Sequence, residues 1–504
     1  MSPVLRVLLI GLCALAASPA AAKVVPLVVV HTNDVHGWIL PRPDRKASRS
    51  LGGAAALAAY VKAERAAAER FLLLDGGDWW QGTPEGSIPK GKAVGEVFDA
   101  LGYDAVVTGN HEFDSGEESL KSLVAGMKTP VVTSNVLIEE TGAQVPYLKP
   151  FLVKDVGGVK VGIFGLVTSH MRRLQFPKNI SGLAFEVEAE AARKAVTALK
   201  AQGAEVVVML SHVGQEYPDR PGILGDETVV KAVPGIDLVV GGHVHLPLDP
   251  ARRVGPTLIV NTGCYLEKAG KAVLEFDDQS RKVVGSTASL RTLWLDEVGE
   301  DAAVKALAEK WRLEVGHALD VVVATATAPM HRDRLKDSVM GNWVTDCMRR
   351  WTKTDLSVQN SGGLRFDFAP GPIRLRDIFT LMPFDNHLVT VYLTGKALGE
   401  VFESSVSSPI GVLQLSGGTV RYDASASAGS RLKGLSVRGR PVQPEETYSV
   451  TVDEFVVKGG AGFSGFGTAT ESAYHDSLTR DILGWCATEE GTLRVPALGR
   501  YVKQ

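Results

Sequence analysis

A chain of 504 residues with 45% hydrophobic and 22% charged residues can bury more than one sizeable core. It is too long for one typical domain, so two domains are the default expectation. The formal net charge of -3 offers no general attraction for polyanions, which disfavours nucleic acid or an anionic membrane as the main partner.

The first 22 residues, MSPVLRVLLIGLCALAASPAAA, have the layout of a cleaved secretory signal. Arg6 is followed by an apolar run from Val7 to Ala17 and then by small residues up to Lys23. The alternative, a transmembrane anchor, needs a longer run to cross roughly 30 Å of hydrocarbon. We therefore expect residues 1–22 to be a signal peptide and the mature protein to be secreted or periplasmic, without a transmembrane anchor.

The predicted mature chain carries three cysteines at wide spacing, Cys264, Cys347 and Cys486. An odd number without a CxxC pair predicts neither a disulfide framework nor a thiolate metal site, so buried thiols are the expected state. Any catalytic or metal chemistry then depends on His, Asp and Asn side chains.

Between residues 24 and 295, apolar segments typical of strands alternate with segments typical of helices. The strand candidates are PLVVVHT, RFLLLDGG, DAVVTG, PVVTSN, VKVGIFGL, AEVVVMLSH, IDLVVGG and PTLIVNT. Segments rich in Ala, Lys or Glu lie between them and favour helices at 53–69, 93–101, 117–127 and 188–202. This alternation predicts an α/β sandwich with a mixed sheet at its core.

Five of these strands are followed directly by side chains that can bind a metal. In an open α/β sheet the loops after the carboxyl ends of strands converge on one crevice. A lone His after a strand is usually structural, but five such endings in one chain are hard to attribute to chance. The residues concerned are Asp34, His36, Asp78, Asn110, His111, Asp114, His212, His243 and His245.

These ligand types suit a pair of divalent ions about 3.5 to 4 Å apart, which needs one bridging carboxylate and open positions for water and substrate oxygens. Asp78 suits the bridge. Imidazole, amide and carboxylate groups favour Mn, Zn, Co or Fe over Ca or a thiolate-bound ion, and Mg completes the candidate metals. His31 lies outside the DxH pair and is expected to be a positioning or structural residue. The predicted sets are Asp34, His36, Asp78 and His245 for one ion, and Asp78, Asn110, His212 and His243 for the other.

Residues 296–321 are expected to form a helix that links two domains. Apolar residues recur every three to four positions, at Val304, Leu307, Trp311 and Val315, after an acidic start. The alternative, an ordinary helix of the N-terminal domain, stays open because periodicity does not locate a domain boundary.

The segments HTNDVHG, GGDWWQGTPE, GNHEFD, SHVG and GGHVH together resemble the metallophosphoesterase domain of the secreted and periplasmic 5'-nucleotidase family. The second half resembles the C-terminal domain of that family through MGNWVTDCM, LSVQNSGGLR, FTLMPFDNHLVTVYLTG and VDEFVVKGGAGF. The resemblance implies a four-layer α/β/β/α metallophosphoesterase sandwich over residues 23–295 and a second α/β domain, for substrate specificity, over 322–504. The helix at 296–321 would join the two.

In that family the His and Asp of the GNHEFD motif act at the phosphoryl group, which implies catalytic roles for His111 and Asp114. A carboxylate three residues on can keep the imidazole protonated by raising its pKa. An imidazolium can stabilise charge on the phosphoryl oxygens or protonate the leaving alcohol. In the alternative, Asp114 only caps the loop or the following helix.

The resemblance also implies substrate-binding residues in the C-terminal domain. A guanidinium can make two contacts to phosphate oxygens, and two aromatic faces can hold any base flat between them. The residues are Asn360 and Arg365 for the nucleoside and phosphate, Phe384 and Phe455 for the base, and Arg334 or Lys336 as the basic residue expected ahead of the GN motif.

Two stretches depart from the family pattern. The first is RDRLKDSVMGN, in which Lys336 or Arg334 could take the place of the basic residue that the family has ahead of its GN motif. The family has GGDGF near its end, with an Asp that holds ribose hydroxyls, whereas this chain has GGAGF with Ala461. An alanine side chain accepts no hydrogen bond, so recognition of the ribose is expected to be weakened.

The sequence thus predicts a dimetal phosphohydrolase that removes the 5'-phosphate of nucleotides and cleaves nucleotide-sugar pyrophosphates, by in-line attack of metal-activated water. Its partner is then a small nucleotide or phosphate ester, with the oligomeric state left open. One alternative is a related dimetal hydrolase for 2',3'-cyclic nucleotides, general phosphomonoesters or the substrates of sulfur-oxidation thiohydrolases. Another is a secreted nucleotide-binding module with weak catalysis.

Overall fold

The structure is a computed structural model that describes residues 23–44, 47–216, 225–463 and 465–504. The predicted signal peptide, residues 1–22, lies outside the described residues. Among the helices that are described, none has the length and apolar character needed to cross a bilayer.

Two sheets packed face to face form the centre of the N-terminal half. The first has the spatial order Lys282–Thr292, Lys268–Asp277, Val24–Thr32, Phe71–Asp75 and Ala105–Val106. The second has the order Arg252–Val254, Thr257–Val260, Leu238–Gly241, Val206–His212, Val159–Val167 and Phe151–Val156. In each sheet parallel strands lie side by side and antiparallel strands complete the edge.

Three apolar layers hold these sheets and their helices together. Val29 and Leu72 of the first sheet meet Val208 of the second in the core between the sheets. Val30, on the other face of the first sheet, packs under helices Ala54–Ala67, Lys92–Leu101 and Glu117–Gly126. Phe164, on the outer face of the second sheet, packs under Glu188–Ala201 and Asp226–Ala232. The predicted four-layer α/β/β/α sandwich is confirmed.

Short elements complete this half. They are helices Pro84–Ser87 and Met171–Leu174, the 3-10 turns His111–Phe113 and Pro177–Ile180, and the paired strands Arg42–Asp44 with Arg49–Leu51 and Val136–Ile138 with Leu183–Phe185. The predicted strand PVVTSN, residues 130–135, makes only isolated bridges, from Val131 to Val106 and from Val132 to Lys149.

The predicted linking helix is divided into helices Leu295–Val298 and Ala302–Val315 and a 3-10 turn, His317–Asp320. Val304, Ala308 and Trp311 of the longest piece join the apolar core under the first sheet. That packing attaches the helix to the N-terminal half, as the alternative expected. The domain limits at 295 and 322 stay a prediction.

The C-terminal half is a second α/β unit. Its five-stranded sheet has the order Leu413–Ser416, Leu356–Asn360, Thr447–Asp453, His387–Thr394 and Ser472–Leu478. A three-stranded sheet has the order Gly371–Arg374, Val322–Ala326 and Thr492–Leu493. A four-stranded sheet has the order Arg440–Pro441, Leu432–Val437, Gly418–Tyr422 and Tyr501–Lys503. The helices are Val339–Thr352, Leu375–Leu381, Gly395–Ser407, Glu454–Val457 and Thr479–Glu490, with 3-10 turns at Ser361–Gly363, Gly460–Gly462 and Phe466–Thr468.

One prediction from the cysteine pattern was wrong. Cys347 and Cys486 are joined by a disulfide, with Cα atoms 6.0 Å apart, and only Cys264 is a free thiol among the described cysteines. The two residues lie on helices Val339–Thr352 and Thr479–Glu490, which pack against each other. They are 139 residues apart in sequence, so cysteine spacing carries no signal for a pairing that tertiary packing creates.

Candidate active site

The seven side chains predicted to bind metal meet where strands of both sheets end. Asp78 lies at the centre, because it belongs to both of the groups whose ligand atoms lie within 4.8 Å of one another. One group is Asp34, His36, Asp78 and His245, and the other is Asp78, His212 and His243. Asn110 joins the second group, since its Oδ1 lies 2.9 Å from Nδ1 of His243.

Five of these seven residues have left-handed backbone conformations. The φ angles are 51° at Asp34, 49° at His36, 58° at Asp78, 75° at His243 and 59° at His245. Such φ values are uncommon outside glycine and cost free energy unless the surroundings fix them. The loops therefore hold these side chains in a conformation that an isolated loop would rarely adopt.

Two imidazoles are oriented from behind by main-chain carbonyls. Nδ1 of His36 donates to the oxygen of Gln81 at 2.6 Å, and Nδ1 of His212 donates to the oxygen of Gly76 at 2.7 Å. In the neutral rings Nε2 then carries the lone pair, and it lies 3.7 Å (His36) and 3.0 Å (His212) from Oδ2 of Asp78. Nε2 of His212 is buried without a hydrogen-bond partner among the described residues. An orphaned lone pair facing a buried carboxylate fits a bound cation between them.

The electrostatics of the cluster agree with that fit. Burial and the charge of Arg365 lower the pKa of His36 well below its ordinary value. Burial, with nearby cations, lowers the pKa of His243 to about 3. Burial and the charge of Asp78 raise the pKa of Asp34 to about 7. His212 differs: burial acts to lower its pKa, but the charge of Asp78 raises it to about 10, so without a cation a proton lies between its Nε2 and Oδ2 of Asp78. Neutral imidazole is the form that binds metals, and a divalent ion would take the place of that proton and offset the crowded carboxylates, so the donor set suits two divalent ions.

His31, by contrast, lies apart from the cluster. Its side chain is fully buried, neither ring nitrogen has a hydrogen-bond partner among the described residues, and burial lowers its pKa to about 3. A Cβ at Gly270 on the neighbouring strand would lie 2.0 Å from its Nε2, so the ring packs on that glycine. This is a core histidine.

His111 and Asp114 form a hydrogen-bonded pair beside the cluster. Nδ1 of His111 donates to Oδ2 of Asp114 at 2.7 Å, and its Nε2 lies 4.0 Å from Oδ2 of Asp78. Burial acts to lower the pKa of His111, but the charges of Asp114 and Asp78 raise it above its ordinary value. Gln175, which the sequence did not single out, donates through Nε2 to Oδ1 of Asp114 and to the oxygen of Asn110.

A second residue missed by sequence reasoning is Glu112. Its carboxylate accepts three main-chain hydrogen bonds, from Asp78 at 3.0 Å, Trp79 at 2.7 Å and Gly109 at 2.6 Å. It therefore ties the loop of Asp78 to the GNHEFD loop. Gly109 has no room for a side chain, because a Cβ there would lie 2.2 Å from Oδ1 of Asp78. The signal was present, since Glu112 lies inside the motif, but its partners are main-chain groups that no sequence pattern names.

Two predicted substrate residues of the C-terminal half reach this cluster. Nη2 of Arg365 lies 3.3 Å from Nε2 of His36. The ring of Phe384 stacks over His111, with centroids 5.8 Å apart and planes at 28°. The neighbouring Pro383 accepts a hydrogen bond at 3.2 Å from Nε2 of Gln81. The C-terminal half therefore contacts the metal-type cluster directly.

The remaining predicted substrate residues lie further from the cluster. Phe455 packs edge to face on Phe176 of the N-terminal half, with centroids 5.8 Å apart and planes at 82°. Asn360 is mostly buried, and its Oδ1 accepts a hydrogen bond from Gln359 at 2.8 Å. Ala461 has a left-handed backbone with φ of 58° in the turn Gly460–Gly462.

The structure separates the two basic candidates ahead of the GN motif. Burial and other nearby cations are the main causes that lower the pKa values of His243 and His245, and the charge of Arg334 adds to them. The guanidinium of Arg334 therefore lies near the cluster. The side chain of Lys336 is 69% exposed, and its Nζ lies 3.6 Å from Oδ2 of Asp333. Arg334 is therefore the better placed of the two for a phosphate.

Comparison with known proteins finds two family models on the chain, one in each half. Residues 27–247 match the family model for calcineurin-like phosphoesterase, and residues 315–468 match the model for the 5'-nucleotidase C-terminal domain. The 5'-nucleotidase of Rattus norvegicus is 30% identical over 535 aligned residues, covering 94% of this chain and 90% of that protein.

Solved structures agree over nearly the full length. A 5'-nucleotidase precursor from Thermus thermophilus superimposes with a TM-score of 0.86 at 28% identity, covering 95% of this chain and 99% of that one. The sulfate thiohydrolase SoxB of the same organism gives 0.82 at 19% identity, covering 95% and 96%, which shows a shared fold only. This chain therefore belongs to the 5'-nucleotidase family of metal-dependent phosphoester hydrolases, in which a two-metal phosphoesterase domain precedes the family's own C-terminal domain.

Proposed function

We propose that this protein is an exported 5'-nucleotidase that removes the 5'-phosphate of nucleotides and also cleaves nucleotide-sugar pyrophosphates. The observation that carries the proposal is the meeting of two different chemistries in one cleft. Arg365 and Phe384 of the C-terminal half lie against His36 and His111 of the metal-type cluster. A phosphoryl group at the cluster would thus have an aromatic face beside it for the attached nucleoside. Relatives named 5'-nucleotidase support this substrate class.

The seven ligand-type residues would hold two ions, with Asp78 shared between them. Asp34, His36 and His245 complete one set, and Asn110, His212 and His243 complete the other. Divalent ions bound there would offset the negative charge of the phosphoryl group and supply a nucleophile at neutral pH.

The chain's own catalytic pair would then handle the proton. Asp114 fixes the ring of His111 through Nδ1, which leaves Nε2 directed at the cluster and keeps the imidazole protonated to higher pH than a free histidine. From Nε2 the proton can pass to the leaving oxygen of the nucleoside as the P–O bond breaks. Arg365, with Arg334, would neutralise charge on the phosphoryl oxygens.

Phe384 and Phe455 would hold the base from either side, and Asn360 would contact the nucleoside. Lys336 has no such position, since it faces Asp333 in solvent. In this scheme chemistry resides in the N-terminal half and recognition in the C-terminal half.

Export is part of the proposal. It rests on the signal-like pattern of residues 1–22, and the disulfide between Cys347 and Cys486 supports an oxidising compartment such as the periplasm or the extracellular space.

The test is a hydrolysis panel on protein stripped with EDTA and reloaded with Mn, Zn, Co, Fe or Mg. AMP and UDP-glucose are compared with 2',3'-cyclic AMP and a generic aryl phosphate. We expect metal-dependent release of phosphate, fastest with AMP. Hydrolysis of the aryl phosphate without any preference for AMP would contradict the nucleotide assignment, and no hydrolysis with any metal would contradict the enzyme.

A variant refines this test. Phe384→Ala should raise KM for AMP about 10-fold, because the loss of one stacked ring removes on the order of 1 to 3 kcal/mol. The aryl phosphate, which has no base, should be affected much less. An equal effect on both substrates would place Phe384 outside base recognition.

A further inference from the structure

One end of the proposed cleft lies where two aromatic rings from different halves, Phe455 and Phe176, meet. Phe455 lies directly on the turn that follows it, since a Cβ at Gly460 would lie 2.5 Å from Cζ of the ring. On another side it meets Phe176 edge to face. Any group held against Phe455 therefore has Phe176 and the turn Gly460–Gly462 as its next neighbours.

Those neighbours carry positive charge. Nζ of Lys458 lies 5.4 Å from the centroid of Phe176, and Nζ of Lys178 lies 5.7 Å from the same centroid. Both lysines are exposed. Helix Met171–Leu174, which carries the exposed Arg173, packs against the turn Gly460–Gly462. Two cations, one from each half, thus lie close to Phe176, and Arg173 lies on the helix beside the turn.

These cations are only partly neutralised. Lys458 pairs with Glu454, with 2.5 Å between Nζ and Oε1. Within the described residues, neither Lys178 nor Arg173 forms an ion pair. An excess of positive charge next to an aromatic face favours an anionic group on whatever the face binds.

The turn itself adds no negative charge. Ala461 occupies its centre and contributes a methyl group, where a carboxylate would otherwise repel an anion and bind hydroxyls. The left-handed φ of 58° at Ala461 is a conformation that Asp and Asn adopt more readily than Ala. Alanine at this position therefore removes a charge without any backbone benefit.

We infer that this end of the cleft accepts a nucleotide that carries a second phosphate on its ribose, so that nucleoside 3',5'- or 2',5'-bisphosphates are substrates for removal of the 5'-phosphate. The inference rests on the proposed function. It assigns Lys178, Lys458 and Ala461 as determinants of specificity. The bond broken is the same P–O ester, with water as the second reactant, and the ribose phosphate stays on the product.

The experiment compares kcat/KM for AMP with that for adenosine 3',5'-bisphosphate and its 2',5' isomer, by chromatography of the nucleotide products. We expect the better bisphosphate to exceed AMP by about 5-fold, since exposed charges contribute on the order of 1 kcal/mol or less each. In Lys178→Gln/Lys458→Gln the ratio should fall to about 1, and 0.5 M salt should lower the ratio in the wild type. Lys433→Gln is the matched control. It removes an exposed lysine of strand Leu432–Val437 and should keep the wild-type ratio.

Ala461→Asp and Ala461→Asn separate charge from shape. Both suit the left-handed turn, so both should fold. Ala461→Asp should reverse the preference toward AMP, whereas Ala461→Asn should keep the bisphosphate preference. Equal kcat/KM for AMP and both bisphosphates in the wild type, or a ratio unchanged in the double lysine variant, would overturn the inference. Absence of AMP hydrolysis would instead contradict the proposed function on which the inference rests.

Discussion

The metal-type cluster and the two aromatic residues predicted to hold the base are built in opposite ways. Asp34, His36 and Asp78 are at most 2% exposed, and their side chains are held by left-handed loops and buried hydrogen bonds. Phe384 and Phe455 are only partly buried, and each contacts the opposite half of the chain through an aromatic ring.

The difference separates chemistry from recognition. Ligands for ions must keep their geometry to within a few tenths of an ångström, so a rigid and strained framework suits them. A cleft that admits and releases a nucleotide needs surfaces that can part, and contacts between two halves of a chain can do so. Variants of the two regions should therefore fail in different ways.

The largest effect is expected from Asp78→Asn, because Asp78 belongs to both ligand groups. Loss of the shared charge should weaken both ion sites and lower kcat/KM for the aryl phosphate by about 1000-fold, more than the 10- to 100-fold typical of residues behind the ligands. Metal content by elemental analysis and phosphate release are the measurements. A variant that keeps two tightly bound ions would show that Asp78 is not shared.

Removing the disulfide should act on the other region. Cys347→Ala/Cys486→Ala should lower the free energy of unfolding of the C-terminal half by about 2 to 4 kcal/mol, because it frees a long loop in the unfolded chain. Denaturant unfolding gives the value. Hydrolysis of the aryl phosphate below the melting temperature should change little, and a large loss would mean that the two halves are less independent than the cluster suggests.

Glu112→Gln should loosen the cluster without removing a ligand. The Glu112 carboxylate accepts hydrogen bonds from three main-chain N–H groups. In the glutamine side chain one oxygen is replaced by NH2, so at least one of these N–H groups would face another donor. We expect metal affinity by titration calorimetry to fall about 10- to 100-fold. Glu118→Gln, on the exposed face of helix Glu117–Gly126, is the control, and equal affinities in the two variants would remove Glu112 from this role.

A further prediction concerns pH and the C-terminal half. Burial raises the pKa of Asp453, which caps the helix carrying Phe455, to about 7 from an ordinary value of 3.8. The native state therefore binds a proton that the unfolded state releases. Its stabilising contribution is complete below about pH 4 and is lost as the pH rises to about 7, with a slope of at most about 1.4 kcal/mol per pH unit.

Asp453→Asn tests that slope by urea unfolding between pH 4 and 7. In the wild type, Oδ1 of Asp453 accepts the Phe455 N–H at 2.9 Å. The asparagine keeps an acceptor there, so the variant should fold, and its free energy of unfolding should depend less on pH than that of the wild type. Parallel curves for the two proteins would exclude Asp453 as the source.

The meeting of the predicted ligand residues could be foreseen from sequence because each lies within a few residues of an apolar strand, and parallel strands deliver their ends to one edge. Asp34 and His245 are far apart in the chain, yet each is marked by its own strand, and the structure places Nε2 of His245 3.2 Å from Oδ1 of Asp34. Local pattern and sheet topology together were sufficient here.

Other features had no local signal. Cys347 and Cys486 are brought together by the packing of two helices, and Gln175 reaches Asp114 from a separate loop. The choice between Arg334 and Lys336 depended on where two neighbouring side chains point, which composition does not record. Contacts of this kind arise only when the whole fold is assembled.

The left-handed loops have a consequence for protein engineering. Copying the letters of the five motifs onto the sheet of another protein would supply the ligand types, but a loop relaxed to ordinary φ values would turn each side chain away from its neighbours. The transferable unit is the loop together with whatever enforces its conformation, such as Glu112 and Gly109 behind Asp78. A designer would need to move these supports first and the ligands second.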